Sequence, residues 1–185
     1  HLDMVFGTRN IHRLPELINA VETTASQVVE TALHESSRSI GIHTLPQEGQ
    51  VSAYVTIMQG CNNFCAYCVV PYLRGPEVSR PLKDIIVEVE SLAHQGIKEV
   101  TLLGQNVNSY GKTFDNGVNF SLLLGEINKI AGIERIRFTT SHPKDLSFEL
   151  INCFAEIDKL CEHIHLPFQS GSDYVLEHIN RGYTK

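Results

Sequence analysis

With 185 residues, 42% of them hydrophobic, the chain is long enough for one buried core, or for one domain and a piece of another. It has no run near the ~18 consecutive apolar residues of a membrane helix, which excludes a helical membrane protein and leads us to expect a cytoplasmic one. The net charge of -6, from 15 Lys+Arg against 21 Asp+Glu, argues by itself against a nucleic-acid partner, because phosphate binding calls for a basic surface.

Pro15 suits the first turn of a helix, and Leu14, Leu17, Ile18 and Val21 recur at helical spacing, predicting a helix from Pro15 to about Thr23. Residues 24–50 are rich in Ser, Thr, His and Glu and are broken by Gly41, Pro46 and Gly49. They read as a connector in which only Val28, Val29 and Leu33 offer packing. After that the pattern becomes strand, loop, helix, repeated. The alternation of Val51, Ala53, Val55 and Ile57 predicts a strand from Val51 to Met58. Pro81 opens a helix with the apolar stripe Ile85, Ile86, Val89 and Leu92, stopped at Gly96. A second strand spans Glu99 to Leu103. Asn119 caps a helix from Phe120 to about Ala131, a third strand runs from Arg135 to Thr139, and a helix follows from about Ser147 to Ile157. A fourth strand is expected from His163 to Phe168 and a last helix from near Asp173.

Four strands alternating with helices imply an α/β fold with parallel pairing and right-handed crossovers. In βα barrels the loops after the strands open onto one face, where the active site sits. Each such loop here is rich in Cys, Gly, Asn, Gln or Ser. A complete barrel takes about 250 residues, so four βα units between Val51 and Lys185 predict a partial parallel (β/α) barrel, preceded by a helix and a linker.

The first of these loops holds three of the five cysteines, in Gly60-Cys61-Asn62-Asn63-Phe64-Cys65-Ala66-Tyr67-Cys68. A C-x3-C-x2-C array can be a disulfide framework, a zinc site, an iron-sulfur site or chance. Disulfides are disfavoured because three is odd and the chain is far larger than small secreted scaffolds. Structural zinc wants four ligands, usually as two pairs. An iron-sulfur cluster held by three cysteines leaves one iron with an open position for chemistry. Cys153 and Cys161 are too widely spaced to join the array and read as small hydrophobes.

The array with Tyr67 before its third cysteine resembles the C-x3-C-x-aromatic-C signature of radical S-adenosylmethionine (SAM) enzymes. The wider wording is narrower still: Gln59-Gly60-Cys61-Asn62-Asn63-Phe64-Cys65, Cys68-Val69-Val70-Pro71-Tyr72, Arg74-Gly75 and Ser79-Arg80-Pro81. It is similar to the methylthiotransferases of that superfamily, along the whole chain. The runs Leu102 to Tyr110 and Thr139 to Pro143 look most like the branch that acts on N6-isopentenyl adenosine in tRNA.

This resemblance implies a transferase that adds a methylthio group at C2 of that adenosine, next to the anticodon, using two SAM molecules and an electron donor protein. It implies a [4Fe-4S] cluster on Cys61, Cys65 and Cys68, whose open iron binds the amino and carboxylate groups of SAM. A second, auxiliary [4Fe-4S] cluster is expected, with ligands that are not in this chain. Residues 1–23 then resemble the tail of an N-terminal methylthiotransferase domain, 24–50 a linker, and 51–185 the first part of the radical SAM domain. The chain begins at His1 and stops at Lys185 early in a helix, so it is expected to be incomplete, inactive alone, and joined to an RNA-binding domain that carries positive charge.

The rim residues are assigned on the same basis. Gly104, Gln105 and Asn106 lie where a glycine-containing strand end approaches the SAM amino group; an ordinary βα turn explains them too. Ser141, Gln169 and Ser170 follow the third and fourth strands and could reach the SAM ribose or carboxylate, although turn chemistry accounts for them as well. Tyr67 completes the cofactor set. Arg74 and Arg80 flank the cysteine loop and could meet phosphate or the SAM carboxylate. His142 could face substrate or simply cap a turn. Pro76 stands where relatives usually carry a basic residue, which weakens an RNA contact there. Alternatives remain: a sibling methylthiotransferase acting on threonylcarbamoyl adenosine or a ribosomal-protein aspartate, and a non-catalytic zinc or iron-sulfur module.

Overall fold

The computed structural model describes residues 2–32 and 45–185. β1 (Met4–Phe6), α1 (Leu14–Thr24) and β2 (Val28–Glu30) form a small βαβ unit in which the two strands pair in parallel, Met4 opposite Val28 and Phe6 opposite Glu30. Ala25, at φ 51, turns the chain out of α1. Asn10 is fully buried and donates from Nδ2 to the carbonyls of Glu30 and Ala32, 3.1 Å each, tying the end of the unit down. Part of the stretch read as a connector is therefore a strand. Three residues are too few for alternation to register, and the partner of Val28–Glu30 lies before the helix. Leu33 and Gly41 lie outside the described residues.

The rest of the chain runs β3 (Ser52–Thr56), β4 (Met58–Gln59), α2 (Val70–Arg74), β5 (Val78–Ser79), α3 (Leu82–His94), β6 (Glu99–Leu103), α4 (Phe120–Asn128), β7 (Arg135–Phe138), α5 (Phe148–Glu156) and α6 (Asp173–His178). β3, β6 and β7 make a parallel sheet in that order, with Ser52 opposite Glu99 and Glu99 opposite Arg135. Period-two alternation puts Ala53, Val55, Val100, Leu102, Ile136 and Phe138 on one face, all buried. The helices cover that face with Ile85, Val89, Leu92, Leu123, Leu124 and Ile127. Each fully buried aliphatic side chain contributes about 1.5–3 kcal/mol, so this layer holds the domain together. The other face carries Tyr54, 65% exposed, and an ionic ladder in which Glu99 meets Arg135 at 2.8 Å and Arg137 at 3.2 Å. The sheet is an open arc, and no barrel closes among the described residues.

The expected strand at 163–168 is not a strand. Lys159 and Cys161 bond across to Ile136, at 2.7 and 3.0 Å, and Leu160 bridges to it, but the ladder stops there. Thr140, at φ 67, bends the chain away at the end of β7, and Pro167 has no N–H to offer a neighbour. His165 instead accepts from Ser141 N at its carbonyl and from Thr140 N at Nδ1, 3.2 Å each, a tether outside any ladder. The parallel sheet thus holds three strands among the described residues where four were expected. The pair β4–β5, antiparallel with Met58 opposite Ser79, was not signalled in the sequence and closes the base of the cysteine loop.

Candidate metal centre and its rim

The cysteine loop leaves β3 and β4 at Gly60. Gly60 has φ +74, and a Cβ there would lie 2.0 Å from the Pro76 carbonyl oxygen, so the crossing of the two loop ends requires glycine. Gly60 N donates to Gln105 Oε1 at 2.7 Å, and Cys61 N donates to the Gly75 carbonyl at 3.2 Å. Asn62 Oδ1 accepts from Glu77 N at 3.0 Å. α2 follows the third cysteine and leaves Tyr72 and Leu73 exposed.

Cys61 and Cys65 are buried and Cys68 half-buried, and all five cysteines are free thiols. Cys68 N donates to the Cys65 carbonyl at 2.9 Å, a tight turn that keeps these two residues together. Burial pushes the Cys61 thiol up, opposed by a hydrogen bond from the Asn63 backbone N–H. A thiol raised in this way becomes a ligand only when a metal charge displaces its proton. Among the described residues no three Cys, His, Asp or Glu side chains converge closely enough for one metal ion. A mononuclear zinc site needs such convergence. Three soft thiolates with few competing donors are the ligand chemistry of an iron-sulfur cluster.

The other strand-end residues lie around this loop. Gly104 cannot carry a Cβ, which would fall 2.4 Å from Met58 Cγ. Gln105 spends its amide oxygen on Gly60, so its visible role is to brace the cysteine loop. Asn106 is buried and donates to Asp145 Oδ2 at 2.6 Å, while its Oδ1 has no partner. Ser141 is buried and its Oγ also lacks a partner. Unpaired buried polar atoms are costly, so these two have hydrogen-bonding capacity that a polar ligand could take up. Gln169, at φ 68, is exposed, and Ser170 Oγ accepts from Ser172 N at 3.1 Å, which is turn chemistry. Tyr67 is 56% exposed, and its Oη accepts from Arg181 at 3.2 Å.

Arg80 is not a surface cation. It is buried, with one guanidinium nitrogen 2.8 Å from Glu88 Oε2 on α3 and donating to the Thr56 carbonyl at 2.6 Å, so it is occupied in holding α3 against the sheet. His142 is buried between loops. Its Nδ1 accepts from Lys144 N at 3.1 Å, its backbone N–H donates to Asn108 Oδ1 at 2.9 Å, and its Nε2 has no partner. Burial first, and then the Arg181 guanidinium, lower its pKa to about 4.

Several polar residues at the rim carried no local signal. Glu77 is buried; burial pushes its carboxyl up, against the Ser109 hydroxyl that donates to Oε2 at 2.6 Å, and Oε1 is unpartnered. Burial would raise the Asp145 carboxyl too, but Lys112 and Asn106 bond to it and hold it low. With Asn62 and Asn63 these groups line a cleft of about 110 Å³ beside the cysteine loop. That is below the roughly 300–1,000 Å³ of ligand pockets, so the cleft can seat the polar end of a molecule but not a whole nucleoside. The neighbouring cavity, about 390 Å³, shares Lys112, Lys144 and Asp145 with it. Arg181 is buried too, and reaches Cys65 Sγ at 3.3 Å.

Residues 55–185 match the family model described as the radical SAM superfamily. The whole chain is 62% identical to the tRNA-2-methylthio-N(6)-dimethylallyladenosine synthase of Syntrophus aciditrophicus, covering 40% of it. It is 55% identical to the protein of the same name from Geotalea uraniireducens, covering 42%. The chain thus spans about two fifths of the length of these curated relatives. Among solved structures, the radical SAM methyltransferase TsrM of Kitasatospora setae with tryptophan and a SAM analogue bound aligns with a TM-score of 0.55 at 20% identity, over 72% of this chain and 25% of its own. The same enzyme with cobalamin and a [4Fe-4S] cluster bound gives 0.54 at 21% identity, over 71% of this chain and 26% of its own. At those identities the likeness speaks for the fold alone, and it agrees with the open parallel sheet. No helix among the described residues is long and apolar enough to cross a membrane. Since the family model extends from Val55, near the end of β3, to the last residue, the chain belongs to the radical SAM superfamily.

Proposed function

We propose that this chain is the cluster-binding and SAM-binding portion of a cytoplasmic tRNA methylthiotransferase, which adds a methylthio group at C2 of N6-isopentenyl adenosine next to the anticodon. The observation that carries the reading is the trio Cys61, Cys65 and Cys68, two of them buried, in a loop closed by β4–β5 at the end of the first sheet strand. Identity of 62% to a curated tRNA-2-methylthio-N(6)-dimethylallyladenosine synthase supports the substrate class. In this reading the three thiolates hold a [4Fe-4S] cluster, and a cluster there supplies the single electron that SAM chemistry requires.

The chain's own residues do the holding. Gly60 allows the loop to cross itself, and Gln105 fixes Gly60 from β6. Asn106 Oδ1 and Ser141 Oγ, buried and unpartnered, accept or donate hydrogen bonds to polar groups of SAM, and Gly104 keeps the β6 end free of a side chain. Tyr67, Gln169 and Ser170 are assigned to the cofactor by resemblance alone, since Ser170 Oγ is engaged by Ser172 N and Gln169 is exposed. Residues 1–23 belong, in the same proposal, to the end of a preceding domain and residues 24–50 to a linker carrying β2; a second cluster has its ligands outside this chain, and tRNA and an electron donor protein are the partners of the whole enzyme.

The test is to express the complete gene product in a host lacking its own enzyme and to analyse tRNA nucleosides by mass spectrometry. The proposal expects the methylthio derivative of isopentenyl adenosine. Only unmodified isopentenyl adenosine, or methylthiolated threonylcarbamoyl adenosine or ribosomal-protein aspartate in its place, would overturn it.

A further inference from the structure

The three residues after α6 grip the cysteine loop. α6 ends in a pair of hydrogen bonds, Arg181 N to the Leu176 carbonyl at 2.9 Å and Asn180 N to the Glu177 carbonyl at 3.0 Å, with Asn180 in the left-handed conformation at φ 55. This is the Schellman pattern, and it reverses the chain so that Arg181 leaves the helix axis sideways. Ile179 accepts from Ala66 N at 3.0 Å, and Asn180 Nδ2 donates to the carbonyls of Asn63 and Phe64 at 3.3 and 2.9 Å. The turn between Cys61 and Cys65 is therefore shaped from a segment more than a hundred residues later.

Arg181 completes the grip. It is only 5% exposed, yet among the described residues no carboxylate forms an ion pair with it. Its guanidinium donates to Cys65 Sγ at 3.3 Å, to Tyr67 Oη at 3.2 Å and to the Pro167 carbonyl at 2.8 Å, and its Nε has no partner. A buried cation without an anion is expensive. The sulfur of Cys65, a proposed cluster ligand, takes one of its N–H groups. Hydrogen bonds and charge at a cluster's sulfurs set its reduction potential.

We infer that Arg181 is a positioning residue for the metal centre: it holds the Cys65 sulfur in place towards the cluster and, through an N–H···S bond from a cationic donor, makes the cluster easier to reduce. The inference rests on the proposed [4Fe-4S] function of the three cysteines. Reduction adds one electron and breaks no bond; a fixed cation beside the sulfur favours the more negative, reduced form. Removing the cation shifts the potential downward.

The experiment uses the complete gene product, reconstituted anaerobically with ferrous iron and sulfide, as wild type, Arg181→Gln and Arg181→Lys. Iron content, a thermal melt, and an EPR-monitored titration with dithionite are read for each. If the wild type takes up no [4Fe-4S] cluster, the proposed function itself fails, and the arginine inference falls with it. If the wild type loads, Arg181→Gln is expected to load with a reduction equilibrium constant about tenfold lower, which is ~59 mV for a one-electron couple. Arg181→Lys, which keeps the charge, recovers part of that shift. Iron uptake by the Lys variant but not by a folded Gln variant supports the same role, with the charge then needed for loading. Wild-type potential and iron content in both variants would overturn the inference while leaving the proposed function intact. Loss of the thermal transition in both would also overturn it, reducing Arg181 to a tie between α6 and the loop.

Discussion

Gly60→Ala is the sharpest probe of how the sequence builds the cysteine loop. The residue sits at φ +74, where an alanine costs about 1–2 kcal/mol against glycine. Its Cβ would stand 2.0 Å from the Pro76 carbonyl oxygen and 2.6 Å from that of Gly75. Close carbon–oxygen contacts lie near 3.3 Å, so the Pro76 carbonyl would have to retreat by about 1.3 Å. Backbone cannot give that cheaply, and Pro76 is next to Glu77, whose N–H is bonded to Asn62. Adding about 1–3 kcal/mol for overpacking gives roughly 2–5 kcal/mol in all. Gly96→Ala is the control: φ is +92, but nothing lies within 4 Å of the added Cβ, so only the conformational cost of about 1–2 kcal/mol applies. Urea denaturation of the two variants reads the difference, and iron uptake reads its consequence at the cysteines. Equal midpoints for both, with wild-type iron uptake by Gly60→Ala, would refute the argument that the loop ends cross at Gly60.

Further outcomes follow from the buried charges. Arg80→Met leaves the Glu88 carboxylate, 2% exposed, without its cation, and is expected to cost about 3–5 kcal/mol in denaturant melts. The double change Arg80→Met with Glu88→Leu should recover most of that loss; if it recovers none, the pair is not what binds α3. His142 is kept neutral, its pKa lowered from 6.5 to about 4. Between those values the unfolded chain binds more protons than the folded one, so this contribution to stability is complete above about pH 6.5 and is lost as pH falls towards 4. His142→Asn should remove that slope, and a wild type and variant that lose stability in parallel across the window would contradict the assignment.

The elements that the sequence disclosed are those whose information is local. The alternation in Ala53 and Val55, the stripe of Ile85, Val89 and Leu92, and the caps Asn119 and Ser147 each lie within a few residues of what they specify, and β6 falls on the expected residues Glu99 to Leu103. The alternation of His163, Ile164, His165 and Leu166 misled for the converse reason. A strand also needs a partner, and beyond Cys161 β7 offers no ladder among the described residues. β2 was lost because its partner lies on the other side of α1. Arg80 read as free to meet phosphate or a carboxylate of SAM because Glu88 lies in the second turn of α3; a carboxylate on the buried stripe of that helix was the available clue. Glu77, Asp145 and Arg181 meet the cysteine loop and its rim from three separate loops, and no spacing in the chain announces that. Asn180, a good left-handed helix end, was the only hint that the chain turns back there.

The account depends on the cysteine trio holding a four-iron cluster with a position left for SAM. The direct measurement is anaerobic reconstitution of the complete gene product, followed by EPR of the reduced protein with and without SAM, beside a Cys65→Ala variant. We expect a brown protein whose reduced spectrum changes when SAM is added, and loss of that SAM-sensitive signal in Cys65→Ala. A colourless protein carrying one zinc, or a cluster spectrum indifferent to SAM, would contradict it.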